Sequence, residues 1–345
     1  MAPGDGRIGS RKADHLRVNL DEDVSSGVTA GFERWRFLPR ALPELDLRAT
    51  STACDFLGHG LRAPILISCM TGGTREATLI NRTLAEVAQS EGLALGLGSA
   101  RVLIEDPSAR AGFDVRDLAR DVPLLVNLGA VQLTRGVEVD DCRRVMDLLG
   151  GDALVLHLNA LQEALQGGGD VDFRGVLAGL ERVCGALGSP VIVKEVGWGI
   201  PPDDVRRLFE VGVAAVDVAG AGGTSWSEVE RHRAAAGREA VFDAFRDWGL
   251  PTAEAVVRAR AAAPTGLLIG SGGVATGIDV AKAVALGADL VGVAGPFLRA
   301  AAAGPEPTLR LAHDIAEVLR LAMFATGAGT LTELRRGGRL ERVSA

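Results

Sequence analysis

Short apolar runs rich in Val, Ile and Leu recur along the chain at regular intervals. They are Pro64–Ser68, Leu93–Leu97, Pro123–Asn127, Ala153–Leu158, Pro190–Glu195, Val213–Val218, Gly266–Ile269 and Asp289–Ala294. Runs of this length, apolar throughout rather than at alternate positions, are what parallel strands covered on both faces require. The stretches between them carry helical periodicity. Arg75–Glu91 opens after Thr74 and sets Leu79, Leu84 and Val87 on one side, and Glu138–Leu149 spaces Val139, Val145, Leu148 and Leu149 among acids and arginines. Asp172–Leu187 repeats Val176, Leu177, Leu180, Val183 and Leu187, and Thr276–Leu286 groups Ile278, Val280, Ala283 and Val284. Pro201–Phe209 begins with prolines and acids suited to a first helical turn. Strand followed by helix, eight times over, predicts an α/β fold of the (β/α)8 TIM-barrel type over residues 61–326. Residues 1–60 form an N-terminal extension, and 225–251 enlarge the loop after the sixth strand into either a lid or a solvated surface helix. Residues 327–345 read as a flexible tail.

Composition narrows the class. Glycine supplies 45 of the 345 residues, nearly twice the usual share of about 7%. The glycines follow no three-residue period, which excludes collagen, and a hydrophobic content of 47% excludes disorder. The net charge of −7 lacks the electrostatic footprint of a nucleic-acid binder, so any bound anion must be held by a local cluster of cations. Cys54, Cys69, Cys142 and Cys184 are scattered and form no C-x-x-C pair, which indicates neither a zinc site nor a disulfide framework. Met1–Ser10 has no apolar signal segment, and no run of 18 apolar residues occurs. The expectation is a cytoplasmic protein with a small-molecule partner, neither nucleic acid nor membrane.

Active sites of this fold lie at the carboxyl ends of the strands. Read in order, those ends are Ser68-Cys69-Met70-Thr71-Gly72-Gly73, Gly98-Ser99-Ala100-Arg101, Asn127-Leu128-Gly129 and His157 with Asn159, Gln162 and Glu163. They continue with Lys194-Glu195, Gly220-Ala221-Gly222-Gly223-Thr224, Gly270-Ser271-Gly272-Gly273 and Ala294-Gly295. Glycines after the seventh and eighth strands let backbone N–H groups approach a phosphate with a helix N-terminus behind it. Gly270-x-Gly272-x-x-Ala275 also fits a dinucleotide fingerprint. That fingerprint belongs to a first βα turn, whereas six βα units precede this one. Lys194 ends a buried strand and needs a partner, either Glu195 or an anion in the barrel mouth, and the phosphate glycines favour the anion. Glu163 is a single carboxylate suited to Mg2+ only together with substrate phosphates. His59, His232 and His313 have no comparable setting.

With these loops in order, the chain resembles the type 2 isopentenyl-diphosphate delta-isomerases, flavoproteins of the FMN-binding barrel class. The likeness runs from Arg11-Lys12-x-x-His15 to about Phe297. It includes Met70-Thr71-Gly72-Gly73, His157-Leu158-Asn159-x-Leu161-Gln162-Glu163, Gly169-Asp170-x-Asp172-Phe173, Lys194-Glu195-Val196-Gly197-Trp198-Gly199, Trp248-Gly249-Leu250-Pro251-Thr252 and Gly270-Ser271-Gly272-Gly273. The resemblance implies interconversion of isopentenyl and dimethylallyl diphosphate with FMN, Mg2+ and NAD(P)H as reductant, and assembly into tetramers or octamers.

It also implies roles by position. FMN contacts fall on Met70, Thr71, Gly72, Ser99, Asn127, Lys194, Thr224, Gly272, Gly273, Ala294 and Gly295. The diphosphate meets Arg11, Lys12, Ser99, Arg101, His157 and Asn159. Gln162 stands at the reacting carbons as the catalytic residue and contacts substrate, and Glu163 holds the metal. The chain departs from the family at Ala100, where a longer residue is expected, and at Ala219, where serine is common. The alternatives are an FMN barrel oxidoreductase acting on a small anion and a phosphate-binding barrel without catalysis. The first needs a His-Gly-x-Arg set at the barrel mouth, whereas the one such string, His59-Gly60-Leu61-Arg62, precedes the first strand.

Overall fold

The computed structural model describes residues 5–234 and 236–343. Each of the eight apolar runs forms a strand: β1 (Ile65–Ile67), β2 (Ala94–Ser99), β3 (Leu124–Gly129), β4 (Ala153–His157), β5 (Val191–Lys194), β6 (Ala215–Asp217), β7 (Leu267–Ser271) and β8 (Leu290–Val293). They pair in parallel in chain order, and β8 closes onto β1 through Val291↔Ile65 and Val293↔Ile67. A slip in register between Gly96 and Ser99 bends the end of β2.

Side chains from alternate positions fill the barrel, among them Leu66, Leu125, Val155, Ile192, Ile269 and Leu290. A larger apolar layer joins the outer strand faces to the surrounding helices. The helix Arg75–Glu91 has the predicted limits: Thr74 accepts from the Ala77 N–H at its start, and Gly92 ends it at φ 64°. Its buried stripe is Ile80, Leu84 and Val87, whereas Leu79, expected on that face, is 64% exposed. The i, i+4, i+7 series starts at residue 80, which turns residue 79 outward. The helix expected over Asp172–Leu187 begins only at Val176 and ends at Ala186. Asp172 instead accepts from the Arg174 N–H, and Gly175 at φ 84° separates this turn from the helix.

The two flanking segments are built into the barrel. The hairpin of Cys54–Phe56 and His59–Leu61 inserts Phe56 and Leu61 into the inner apolar cluster and so plugs the amino end of the barrel. At the opposite end lies α1 (Asp5–Asp21). The tail expected to be flexible carries a helix, Leu331–Arg335, and a strand, Leu340–Arg342, paired with Trp35–Phe37. Its anchor is Asp289, which accepts from Arg335 at 2.8 Å, Arg260 at 2.6 Å and the Leu268 N–H at 2.9 Å. Apolar content alone did not reveal that ion triad.

Asp289→Ala leaves two guanidinium groups without their acceptor. It is expected to cost about 2–3 kcal/mol, read as a lower melting temperature with flavin content unchanged at 25 °C.

Candidate active site

A cavity of about 520 Å³ opens at the carboxyl ends of the strands, within the range of small-molecule sites. Every residue to which the resemblance gives an FMN, diphosphate, catalytic or metal role lines it. Met70, Thr71 and Gly72 come from the loop after β1, Ser99 and Arg101 from β2, Asn127 from β3, and His157 and Asn159 from β4. Gln162 and Glu163 come from α2 (Ala160–Leu165), Lys194 from β5, Thr224 from the loop after β6, and Gly272, Gly273, Ala294 and Gly295 from the last two loops. Arg11 and Lys12 reach it from α1.

The glycine loops are packed too closely for any side chain. Gly272 lies at φ 102°, and a Cβ there would fall 2.0 Å from the Gly220 carbonyl oxygen. At Gly222, φ 123°, it would fall 2.1 Å from the Ala30 nitrogen. The second contact exists because the chain after α1 runs beside the sixth loop. Ser225 N–H donates to Val24 at 2.7 Å and Ser26 N–H to Gly223 at 2.8 Å. The N-terminal extension is therefore one wall of the cavity.

Positive charge gathers on one side. Lys12 donates to the Ser99 carbonyl at 2.8 Å and lies 5.0 Å over the Phe113 ring. Burial, and then the charge of Arg11, lower its pKa to about 8. Arg101 is held by Asp170 at 3.1 Å, and the same carboxylate accepts from Gln132 at 3.0 Å and Arg135 at 2.5 Å. Burial works against ionisation of Asp170, but Arg135, Gln132 and Arg101 keep its pKa below the usual carboxylate range. His157 is different. Its Nδ1 meets Asn127 Oδ1 at 2.7 Å, and burial, reinforced by the charge of Lys194, drops its pKa to about 4. It is a neutral imidazole at physiological pH.

The amide and carboxylate row from α2 is densely bonded. Asn159 Nδ2 donates to Gln162 Oε1 at 3.2 Å and to Glu163 Oε1 at 3.0 Å. Glu163 Oε2 accepts from the Asp170 N–H at 2.7 Å and from Gln166. Three donors leave Glu163 about one free lone-pair position. No group of three His, Cys, Asp or Glu side chains suited to a metal occurs among the described residues. Mg2+ thus fits only as a bridge between Glu163 and phosphate oxygens supplied by a ligand.

Lys194 does not pair with the Glu195 carboxylate. Its Nζ donates to the Glu195 carbonyl at 2.5 Å, while that carboxylate accepts from the backbone N–H groups of Gly197, Trp198 and Gly199. Lys194 faces the cavity, together with Asn127 and the glycine loops. A cation, an amide and a phosphate-sized backbone cradle in one cavity match the parts of FMN: an electron-rich ring, its carbonyl edge and its phosphate.

One central residue was missed. The segment expected to be a lid or a solvated helix contains α3 (Trp226–Arg233), which packs against α1 and α2 with Val229 and Glu230 buried. Glu230, 2% exposed, accepts from Gln162 Nε2 at 3.2 Å and Arg233 at 2.5 Å, and its Oε1 lies 2.9 Å from His15 Nε2. Burial opposes its ionisation, yet these partners hold its pKa below the usual value. The i, i+4 spacing of Trp226 and Glu230, both facing the centre, was the only sequence signal. Trp226 meets the His15 ring edge-on at 5.3 Å between centroids.

The chain is similar to known proteins over nearly all its length. It is 52% identical over 330 residues to the isopentenyl-diphosphate delta-isomerase of Xanthobacter autotrophicus, covering 95% of this chain and 96% of that one. It is 51% identical to the enzyme of that name from a Synechococcus species, covering 95% of each. Residues 170–340 match the family described as FMN-dependent dehydrogenase. Among solved structures, mandelate oxidase bound to (S)-2-phenylpropionate aligns with a TM-score of 0.68 at 20% identity, over 99% of this chain and 98% of that one. The lactate oxidase of Pediococcus acidilactici aligns with a TM-score of 0.67 at 16% identity, over 96% and 87%. These two likenesses carry the fold.

Glu230→Ala removes the acceptor shared by α1, α2 and α3, at an expected cost of about 3 kcal/mol. Limited proteolysis within Asp5–Asp21 should accelerate at least tenfold while far-UV circular dichroism is retained. An unchanged cleavage rate contradicts the tie.

Proposed function

Because the chain belongs to the isopentenyl-diphosphate delta-isomerase family, we propose that it converts isopentenyl diphosphate into dimethylallyl diphosphate. FMN, the cofactor in the name of the matching family model, is the flavin of this reading. Mg2+ held against the diphosphate and NAD(P)H as the reductant complete it. The observation that carries the reading is one cavity lined together by Arg11, Lys12 and Arg101, by Asn159, Gln162 and Glu163, and by the glycine loops.

Moving the double bond requires one proton to be added at the terminal =CH2 and one to be lost from the allylic methylene, the second carbon from the diphosphate oxygen. No electrons are gained or lost overall. An isolated alkene gives ordinary side chains little to act on. In its reduced form FMN supplies an electron-rich ring that holds a transferable proton and stabilises positive charge beside the alkene.

The residues of the chain bind and orient. Arg11, Lys12 and Arg101 take the diphosphate, Ser99 and Asn159 add hydrogen bonds, and Asp170 keeps Arg101 in place. Glu163, fixed from two sides, offers its remaining lone pair to Mg2+. Gln162, buried and restrained by Asn159 and Glu230, orients the reacting carbons. His157, neutral and bonded to Asn127, contributes hydrogen bonding rather than charge. Lys194 presents a cation to the flavin ring, and Met70, Thr71, Gly72, Asn127 and Thr224 shape its seat. The phosphate of FMN falls to Gly272, Gly273, Ala294 and Gly295, where backbone N–H groups and a helix start are available.

No helix among the described residues is long and apolar enough to cross a membrane. We propose cytoplasmic action as a homo-oligomer.

Incubation with isopentenyl diphosphate, FMN, Mg2+ and NAD(P)H should yield dimethylallyl diphosphate, and omission of any one component should slow it. Turnover that requires a stoichiometric oxidant would instead identify an oxidoreductase. Gln162→Ala is expected to lose at least a hundredfold in kcat while keeping FMN, and Glu163→Gln to raise the Mg2+ concentration needed for half-maximal rate. A wild-type rate in Gln162→Ala contradicts its assignment.

A second prediction follows from Lys12. Its charge is present below about pH 8 and lost above, so kcat/KM should fall as pH rises through 8. Lys12→Arg keeps its charge and should abolish that fall.

A further inference from the structure

Beneath Lys194 lies a buried acid that neither the cavity lining nor the proposed chemistry uses. Asp217 ends β6 and stands directly beside Lys194 in the β5–β6 register. It is 1% exposed. Ser271 Oγ donates to its Oδ1 at 2.6 Å, and the Ala219 N–H donates to the same oxygen at 3.2 Å. Its Oδ2 is buried and has no hydrogen-bond partner. On its other side Lys194 neighbours His157, so Asp217 is the acid paired with it in the strand register.

An ionised carboxylate with one bare oxygen is costly in such a place unless a charge offsets it. Burial raises the pKa of Asp217, and the charge of Lys194 is the first influence pulling it back. The thiol of Cys69, which lines the cavity beside Lys194, is raised chiefly by burial and feels both charges, Lys194 lowering and Asp217 raising its pKa. Asp217 also shapes the floor. Ala219, whose N–H it holds, lies at φ 38°, a left-handed conformation that a non-glycine residue keeps only under restraint. The glycine loop of β6 starts immediately after it.

We propose that Asp217 is the buried counter-charge of Lys194 and thereby sets the potential of the bound flavin, without touching flavin or substrate. It is a positioning residue. The proposal rests on FMN being seated against Lys194, and it holds whatever substrate the enzyme turns over. With Asp217 negative, the cation facing the flavin is partly cancelled. With the acid neutralised, the full cation acts on the ring and favours its reduced, electron-rich form.

The test is anaerobic spectroelectrochemical titration of the FMN-loaded wild type and Asp217→Asn, an isosteric change that retains an oxygen for Ser271 and Ala219. The midpoint potential should move to more positive values, and sulfite, which adds to the oxidised ring as an anion, should bind at least tenfold more tightly. An unchanged or more negative potential with unchanged sulfite affinity overturns the proposal. If the variant does not retain FMN, thermal melts of the flavin-free Lys194→Met, Asp217→Asn and double variants decide. The double variant should be more stable than the sum of the single losses, and simple additivity overturns the pairing. A wild type that does not isomerise isopentenyl diphosphate, with the expected potential shift in Asp217→Asn, would count against the substrate and leave this assignment standing.

Discussion

The carboxylate of Glu230 joins parts of the chain more than two hundred residues apart: His15 of the N-terminal helix, Gln162 after the fourth strand and Arg233 on its own helix. A barrel provides a ring of strand ends but no roof, and a site that handles an alkene must be roofed to exclude water. Here the roof is α1, which brings Arg11 and Lys12 over the mouth. Its apolar attachment has two parts, Leu16 and Leu20 against the main core and a minor cluster of Val18, Val24 and Val229 with Trp226, and neither fixes a polar register. The buried ionic node therefore carries the registry of the roof, a role in which buried charge is best attested.

The same device recurs around the cavity. The protein is acidic overall, so its field does not gather anions, and cations around the mouth are fixed by local partners. Asp170 holds Arg101, Glu230 holds Arg233 and meets His15, and Asp217 stands beneath Lys194. Lys12 differs: a carbonyl and an aromatic face hold it, and burial with the charge of Arg11 lowers its pKa. Cations backed by acids are preorganised, and they cost little rearrangement when a diphosphate arrives.

The barrel was legible because parallel strands buried on both faces are written as unbroken apolar runs, and all eight matched strands. The residues of the cavity were legible because polar groups and glycines at strand ends have few other reasons to be there, and the family resemblance gave them roles. What stayed hidden depended on partners distant in sequence. Glu230 looked like one charge among several in a charged loop, Asp289 like the first residue of a strand, and Asp217 like an interruption in an apolar run. Leu79 against Ile80 is a one-residue error of helical phase. The tail looked mobile because its composition is polar, while its order comes from the Arg335–Asp289 pair and from strand pairing with Trp35–Phe37.

The central claim is that the flavin acts here without net oxidation or reduction of the substrate, in a site whose residues bind and orient. The most direct measurement is the number of NAD(P)H molecules consumed for each dimethylallyl diphosphate formed under anaerobic conditions. The account predicts one reduction of the flavin followed by many turnovers, so the ratio falls far below one and keeps falling as product accumulates. Consumption that stays one-to-one with product would contradict it.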